Sequence, residues 1–343
     1  MKKISILLVI LLIMTLLVAA IGCQRQSQST ADEQEKLVRI RLSEVIRSMF
    51  YAPQYVAISK GFFRDQGLDV TLSTAWGADM GAAALISKTA DIALFGPEAA
   101  IYIAAQEADN PVICFAQLTS KDGSFLVGRE NNPDFTWEDV KGKVIIGGRK
   151  GGVPQMTLEY VLWKNGIEPF VDVEIIQNIH LNATTGAFAG GTGDYVQLWH
   201  PGPALLEAEG IGYTVASLGA AAGPCPYTVF HATNAFIAEN PDLVQKFTNA
   251  IYEAMLWVEE SSAQEVAEAI AMFFPDVELD IITKTIIAYK DLDIWAPNPI
   301  LSEESLDLLQ DIMILAGELD EKVPYEKVVN TTFAEQAMAA KQK

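Results

Sequence analysis

Basic residues are scarce in this chain: 24 Lys and Arg stand against 44 Asp and Glu in 343 residues, a formal net charge of −20. Phosphate binding requires clustered cations that release counterions, and no basic run interleaved with aromatics occurs, so nucleic acid is excluded as a partner. Histidine is scarcer still, with only His180, His200 and His231 scattered along the chain. There is no His-Glu-x-x-His pair, no Cys-His spacing that a metal needs and no Gly-x-Ser-x-Gly elbow. Carboxylate pairs of the glycosidase kind are set by the fold, so spacing does not exclude them. Beyond Cys23 the only cysteines are Cys114 and Cys225, which share no short spacing, so zinc and redox motifs are absent. They read as two buried thiols, with a disulfide as the alternative for an exported protein. No cofactor and no catalytic residue is assigned, and nothing in these residues points to an enzyme.

What is present is ordinary globular material, half apolar and one fifth charged, and the length is that of two domains. The start is different. Lys2 and Lys3 precede an apolar run from Ile4 to Gly22, which ends on Cys23. A basic start, an apolar core and small residues before Cys describe an export signal. Val18-Ala19-Ala20-Ile21-Gly22-Cys23 resembles the bacterial lipobox, in which the Cys is lipidated, although Ala20 stands where that pattern usually has Leu. The alternative is an uncleaved helical anchor, since the run approaches the ~20 residues that span a bilayer. The expected organisation is a signal peptide over 1–22, a lipid-anchored tether over 23–36, one lobe from 37–120 plus 227–343, and a second from 121–226. Either reading of the start places the folded part outside the cytoplasmic membrane.

From Leu37 short β-type runs alternate with helical segments, an α/β pattern with a largely parallel sheet. Strands are expected at 38–42, 69–72, 92–95, 112–116, 124–127, 143–146, 173–176, 195–198, 213–216 and 228–231. Helices are expected between them, including 52–63, 79–87, 98–106 and 155–164. Beyond Pro241 the chain reads as nearly all helical. Two α/β passes give two lobes with a cleft between them, and ligands of open α/β sheets bind beyond the carboxyl ends of the strands.

The loops at those ends therefore hold the candidate site. Gly147-Gly148-Arg149-Lys150-Gly151-Gly152-Val153-Pro154 follows a strand and opens a helix, so its free N–H groups can receive a polar or anionic group. It lacks the Gly-Lys-Ser/Thr of a P-loop; the alternative is a tight turn with exposed Arg149 and Lys150. Phe50 and Tyr51 follow the first strand, Trp76 and Asp79 the second, and Gly96-Pro97-Glu98 the third. One of the first pair packs on its helix in the plainer reading, and Asp79 simply caps one. In the second lobe Asn182, Thr184, Trp199 and His200 stand after strands, and Tyr227 either lines the cleft or braces a hinge.

These features sit in a chain that resembles the substrate-binding proteins of bacterial ABC importers for sulfonates, nitrate and thiamine pyrimidine precursors. The resemblance runs from Leu37 to the last helix. It is carried by Ala57-Ile58-Ser59-Lys60-Gly61-Phe62-Phe63-x-x-x-Gly67-Leu68-Asp69-Val70, Ala90-Asp91-Ile92-Ala93 with Gly96-Pro97, and Trp137-Glu138-Asp139-Val140-Lys141-Gly142-Lys143. Gly193-Asp194-Tyr195 and Asn240-Pro241-Asp242-Leu243-Val244 follow in order. It implies the two-lobed type II periplasmic-binding fold, with a hinge and an inter-lobe cleft. Tyr51, Trp76, Gly96 and Pro97 would face the ligand from one lobe, and Gly151, Gly152, Val153 and Trp199 from the other. His200 replaces an acid that many relatives carry before Pro201, and the Cys-rich motif of the related eukaryotic pyrimidine-synthesising enzymes is missing.

The resemblance implies a monomeric receptor, anchored to the membrane by lipid, that delivers a small molecule to an ABC permease and its cytoplasmic ATPase. Strand-end aromatics favour a planar heterocycle, such as a pyrimidine or flavin-like solute. An anionic sulfonate would instead use helix N-termini with Arg47, Arg149 or Lys150. Two other classes fit the sequence. One is an extracytoplasmic enzyme with His200 as acid or base, and the other is a sensor or adhesion lipoprotein.

Overall fold

The computed structural model describes residues 37–341. The expected signal, the lipidated Cys23 and the tether lie outside the described residues. Among the described residues no helix is long and apolar enough to cross a membrane.

Ten strands build two sheets: β1 (Val38–Glu44), β2 (Leu68–Thr74), β3 (Ile92–Phe95), β4 (Val112–Thr119), β5 (Phe125–Gly128), β6 (Val144–Ile146), β7 (Glu174–Ile176), β8 (Tyr195–Leu198), β9 (Tyr213–Ser217) and β10 (Thr228–Thr233). The first sheet has the order β2-β1-β3-β10-β4 and the second β7-β6-β8-β5-β9. Sequence pattern decides position. The continuous apolar runs of β3, β4 and β10 are buried at every residue, as strands covered on both faces must be. β2 carries polar residues at alternate positions, is half exposed, and takes the edge.

The expectation of largely parallel sheets needs correction at two strands. β10 runs antiparallel to both β3 and β4, and β5 runs antiparallel to both β8 and β9. The cause is the length of the crossings. The chain leaves the carboxyl end of β4 at Thr119 and enters β5 at Phe125, too short a link for a crossover helix. It therefore enters the second sheet from the cleft side and runs away from it, and β10 repeats the manoeuvre on return. The two crossings hold each other, with Cys225 N–H donating to Ser120 O at 2.9 Å and Tyr227 N–H to Thr119 O at 3.3 Å. Cys114 and Cys225 are both buried and unbonded to one another.

The expected helix over 52–63 is two helices, Ala52–Ser59 and Phe62–Asp65. Gly61 between them has φ +85°, the left-handed conformation that ends a helix and that glycine adopts without penalty. The helical C-terminal third starts with Pro241–Glu260, with Pro in the first turn, and most of it packs on the first sheet's side, against Ala52–Ser59 and β4. Helix Glu303–Leu315 is different, because it touches both Glu98–Ala105 and Val153–Lys164 and so bridges the two lobes. The largest core cluster likewise combines Ile92 and Phe230 of the first sheet with Phe125, Val153 and Met156 of the second half. Arg39–Lys343 is consequently one compact unit containing both sheets.

Candidate functional site

Glu44, the last residue of β1, organises the first loop. Its buried carboxylate accepts from Tyr55 Oη and Gln54 Nε2 at 2.8 Å, from Thr74 Oγ1 at 3.3 Å, and pairs with Arg47 Nε at 2.8 Å. Burial nevertheless raises its pKa to about 7, because desolvation outweighs these partners. Held by this knot, Val45, Ile46 and Tyr51 face a partly open cavity of about 460 Å³ between the two sheets. Phe50 does not. It is fully buried beside Tyr227 and Tyr289, and its carbonyl accepts from Trp295 Nε1 at 2.9 Å.

After β2, Gly77, Ala78 and Asp79 line the cavity, but Trp76 does not. Its backbone is pinned by an N–H bond to Val45 O of 2.8 Å at φ +63°, and the residue is 39% exposed. After β3, Gly96 and Glu98 line the cavity, whereas Pro97 serves as the N-cap of helix Glu98–Ala105 and stays out of it. Glu98 is 3% exposed. Its Oε1 accepts from Val153 N–H of the facing lobe at 3.3 Å, and its Oε2 is buried without a partner. A Cβ on Gly96 would collide with this carboxylate, which explains glycine at that position. Burial lifts the Glu98 pKa to about 7 despite the backbone N–H groups aimed at it.

From the second lobe the loop Arg149–Pro154 forms the opposite wall. Gly151 takes φ +74°, and its carbonyl accepts from Tyr102 Oη at 2.8 Å. Arg149 and Lys150 also line the cavity, yet neither is unpaired. Arg149 forms two bonds with Asp79 at 2.9 and 3.0 Å, and Lys150 lies 3.9 Å from Glu318. Arg47, the third cation considered for an anionic ligand, belongs to the Glu44 knot and is not on the wall.

Trp199, Leu181, Tyr227 and Thr228 also line it, and Ala82, Ala83, Ile86, Ala99 and Ile103 give it an aliphatic side. Asn182 is exposed and off the cavity; Thr184 is buried and donates its hydroxyl to Leu181 O at 3.0 Å. His200 is also off the wall. Its ring packs edge-on to Phe125 and Tyr289, its carbonyl accepts from Ser48 Oγ at 2.7 Å, and burial lowers its pKa to about 4. Tyr227 is 4% exposed, and its hydroxyl lies beside the Asp122 carboxyl group. Burial and the nearby Asp122 carboxylate push its pKa well up.

The structure thus brings together Tyr51, Gly96, Glu98, Gly151, Gly152, Val153, Trp199 and Tyr227 of the expected residues. It leaves Phe50, Trp76, Pro97, Asn182, Thr184 and His200 outside the wall. Tyr102 was missed, although it follows Glu98 at the i, i+4 spacing of one helix face. Glu318, which reaches the cavity from beyond helix Glu303–Leu315, left no local signal. Among the described residues the wall contains no Ser, Cys or His. No group of three or more His, Cys, Asp and Glu is arranged to hold a metal ion among them either. The arrangement can enclose and orient a small molecule between aromatic and aliphatic walls.

The profile of the family described as NMT1/THI5 like matches residues 49–264. YtlA of Bacillus subtilis (strain 168), provisionally named a binding protein, is 47% identical over 309 residues, 90% of this chain and 92% of its own. Among solved structures, the alkanesulfonate-binding protein SsuA of Xanthomonas axonopodis pv. citri, bound to MOPS, superposes with a TM-score of 0.69 at 17% identity, over 86% of this chain and 98% of that one. The periplasmic nitrate-binding protein NrtA of Synechocystis PCC 6803 gives 0.66 at 16% identity, over 89% of each chain.

Proposed function

We propose that this chain, which belongs to the NMT1/THI5-like family, is the extracytoplasmic solute receptor of an ABC importer and releases its solute unchanged to the permease. The supporting observation is the cavity of about 460 Å³ between the strand-end loops of two sheets, a volume suited to one small molecule. Closing two lobes on a solute excludes water, so a few directed hydrogen bonds and aromatic faces suffice for affinity. Opening the lobes then removes half of the contacts at once, which is how such a receptor can bind well and still deliver.

A planar heterocycle fits this wall better than a sulfonate or nitrate. Tyr51, Tyr102, Trp199 and Tyr227 supply aromatic surface, while Arg149 and Lys150 already face carboxylates. The receptor is held at the membrane by lipid on Cys23 in this reading. A thermal-shift screen of pyrimidines, flavins, sulfonates and nitrate tests it. A cognate solute at a hundredfold its dissociation constant stabilises the fold by about 2.7 kcal/mol, a rise of a few degrees. A retained compound that is converted to product would make the protein an enzyme, and the absence of any shift across the screen would remove the receptor assignment. Cys23→Ser should move the protein from the membrane fraction to the soluble one.

A further inference from the structure

The end of helix Val153–Lys164 that faces the cavity looks at first like a site for an anion. It follows a glycine-rich loop, and its N-cap Gly152 makes no side-chain capping bond, a setting in which oxyanions are commonly held. In this chain that position is taken. The Glu98 carboxylate crosses from the facing lobe and receives the Val153 N–H, so the helix already has its negative partner. An oxyanion brought to the same place would meet a carboxylate and lose to like-charge repulsion in a desolvated site.

What remains open is an acceptor. Glu98 Oε2 is buried without a partner and lies over Gly96, where the lack of a Cβ leaves room for it. An unsatisfied buried carboxylate oxygen is costly, and in a native site it is filled by something that donates. Tyr227 Oη, buried on the same wall, lies beside the Asp122 carboxyl group. Behind it the buried Asp122 adds further negative potential, its oxygens accepting from Ser124 N–H at 2.6 Å and Gln197 Nε2 at 3.4 Å. The cations that line the cavity are paired elsewhere, Arg149 with Asp79 and Lys150 with Glu318. The interior is therefore acceptor-rich and short of free positive charge.

We propose that Glu98 is the specificity-determining residue of the cavity: it recognises a solute edge that donates hydrogen bonds, of the amidine or amino-heterocycle kind and preferably cationic, and it bars oxyanions from the Val153 helix terminus. This inference rests on the receptor reading above and names the chemical class that such a receptor takes. The elevated pKa of Glu98 in the empty cavity, about 7, has a consequence for it. A permanently cationic solute must bind the ionised carboxylate, so its affinity depends on pH through this one group.

The test is titration calorimetry on the full chain in detergent with three probes: benzamidinium, cytosine and benzenesulfonate. Benzamidinium and benzenesulfonate have nearly the same size and planarity and opposite charge. Binding of benzamidinium or cytosine, with benzenesulfonate silent, is the expected result. For benzamidinium the affinity rises about tenfold from pH 6 to pH 8, because Glu98 passes from mostly protonated to mostly ionised across that interval. Glu98→Gln, confirmed as folded by circular dichroism, weakens benzamidinium about a hundredfold, as expected for a lost charge-assisted bond in a desolvated site, and flattens that pH dependence. A residue with a merely structural role would not move the pH profile. Binding of benzenesulfonate alone overturns the assignment of Glu98 while leaving a solute receptor in place. Binding of none of the three overturns it as well, and the wider thermal-shift screen then decides separately whether the protein is a receptor at all.

Discussion

Arg149 grips Asp79 through two N–H···O bonds of 2.9 and 3.0 Å, joining the loop after β6 in one lobe to the helix after β2 in the other. Both residues stand on the cavity wall, beside the Tyr102–Gly151 bond that also crosses between the lobes. The pair is a clasp across the cleft. Its side chains are 36% and 57% exposed, so its contribution is that of a solvated ion pair, about 0.2–1 kcal/mol. That is small for stability but is felt in the rate of opening. Asp79→Asn should leave the melting temperature almost unchanged and raise the dissociation rate of bound solute by up to about fivefold, since 1 kcal/mol is about a fivefold factor. Stopped-flow tryptophan fluorescence reads this directly. High salt should produce the same acceleration in the wild type and none in the variant; an equal salt effect in both would show that the clasp does not govern release.

The buried carboxylates make the empty protein sensitive to pH in a definite direction. Glu98 has an ordinary value of 4.5 and a folded value of about 7. As pH rises, the unfolded chain ionises first, so the native state holds the extra proton between those values. The stability this group supplies is thus complete below pH 4.5 and lost by pH 7. Glu44 and Asp122 act with the same sign. His200, lowered from 6.5 to about 4, acts oppositely as pH falls through that range. Glu98→Gln should match the wild type near pH 4.5 and exceed it by on the order of 2 kcal/mol above pH 7, the scale of a shift of this size discounted for relaxation. Urea unfolding at both pH values measures the difference. A variant less stable than the wild type at pH 8 would mean that the carboxylate is held ionised by favourable partners.

Two glycines differ in how their neighbours can yield. A methyl group on Gly96 meets only the Glu98 carboxylate, the end of a side chain, whereas one on Gly219 meets the backbone carbonyl of Asp122 in the crossing between the sheets. A side chain can swing aside, but a hydrogen-bonded crossing cannot. Gly219→Ala should cost about 2–3 kcal/mol, at the upper end of overpacking effects, and Gly96→Ala about 1 kcal/mol. Gly96→Ala should at the same time abolish binding of the donor probes, because it displaces the acceptor. Equal destabilisation of the two variants would show that the crossing is softer than its hydrogen bonds imply.

The α/β alternation, the strand positions and the location of the site beyond strand ends were legible because hydrophobic period and strand-end loops are local properties. β3 and β8 could be delimited at both ends, the first an apolar run and the second apolar except for Gln197, each bounded by turn residues. The reversed direction of β5 and β10 was not legible, since it follows from the shortness of a crossing whose destination sequence does not announce. Of the residues that line the cavity, those one turn into a helix or directly at a strand end were among the expected ones, as with Tyr51, Glu98 and Val153. Side-chain direction was not. Phe50 and Tyr51 are neighbours on a single 3-10 turn, yet one ring enters the core and the other the cavity. His200 and Trp199 divide in the same way. Glu318 was beyond reach because more than a hundred residues separate it from Lys150, its partner across the cleft.

Trp76 shows what the structure changes about experiment. As an aromatic at a strand end it was expected to touch the solute, and its replacement would then abolish binding. In the structure its ring stands off the cavity wall, and its backbone has φ +63°, an uncommon conformation for a bulky residue. Two costs are therefore stored at this position, an exposed indole and a left-handed backbone. Trp76→Gly removes both without touching the wall, so its affinity for any solute that the screen retains should stay within about twofold of the wild type, the range of surface substitutions away from special contacts. Its stability should be equal or higher by up to about 1 kcal/mol, since glycine carries no steric penalty at positive φ and offsets it only through chain entropy. Trp199→Ala is the control, because that ring does line the cavity and its loss should weaken binding by at least tenfold, the scale of a lost aromatic contact. If Trp76→Gly loses affinity as Trp199→Ala does, the indole swings onto the solute when the lobes close around it, and the wall must be redrawn to include it.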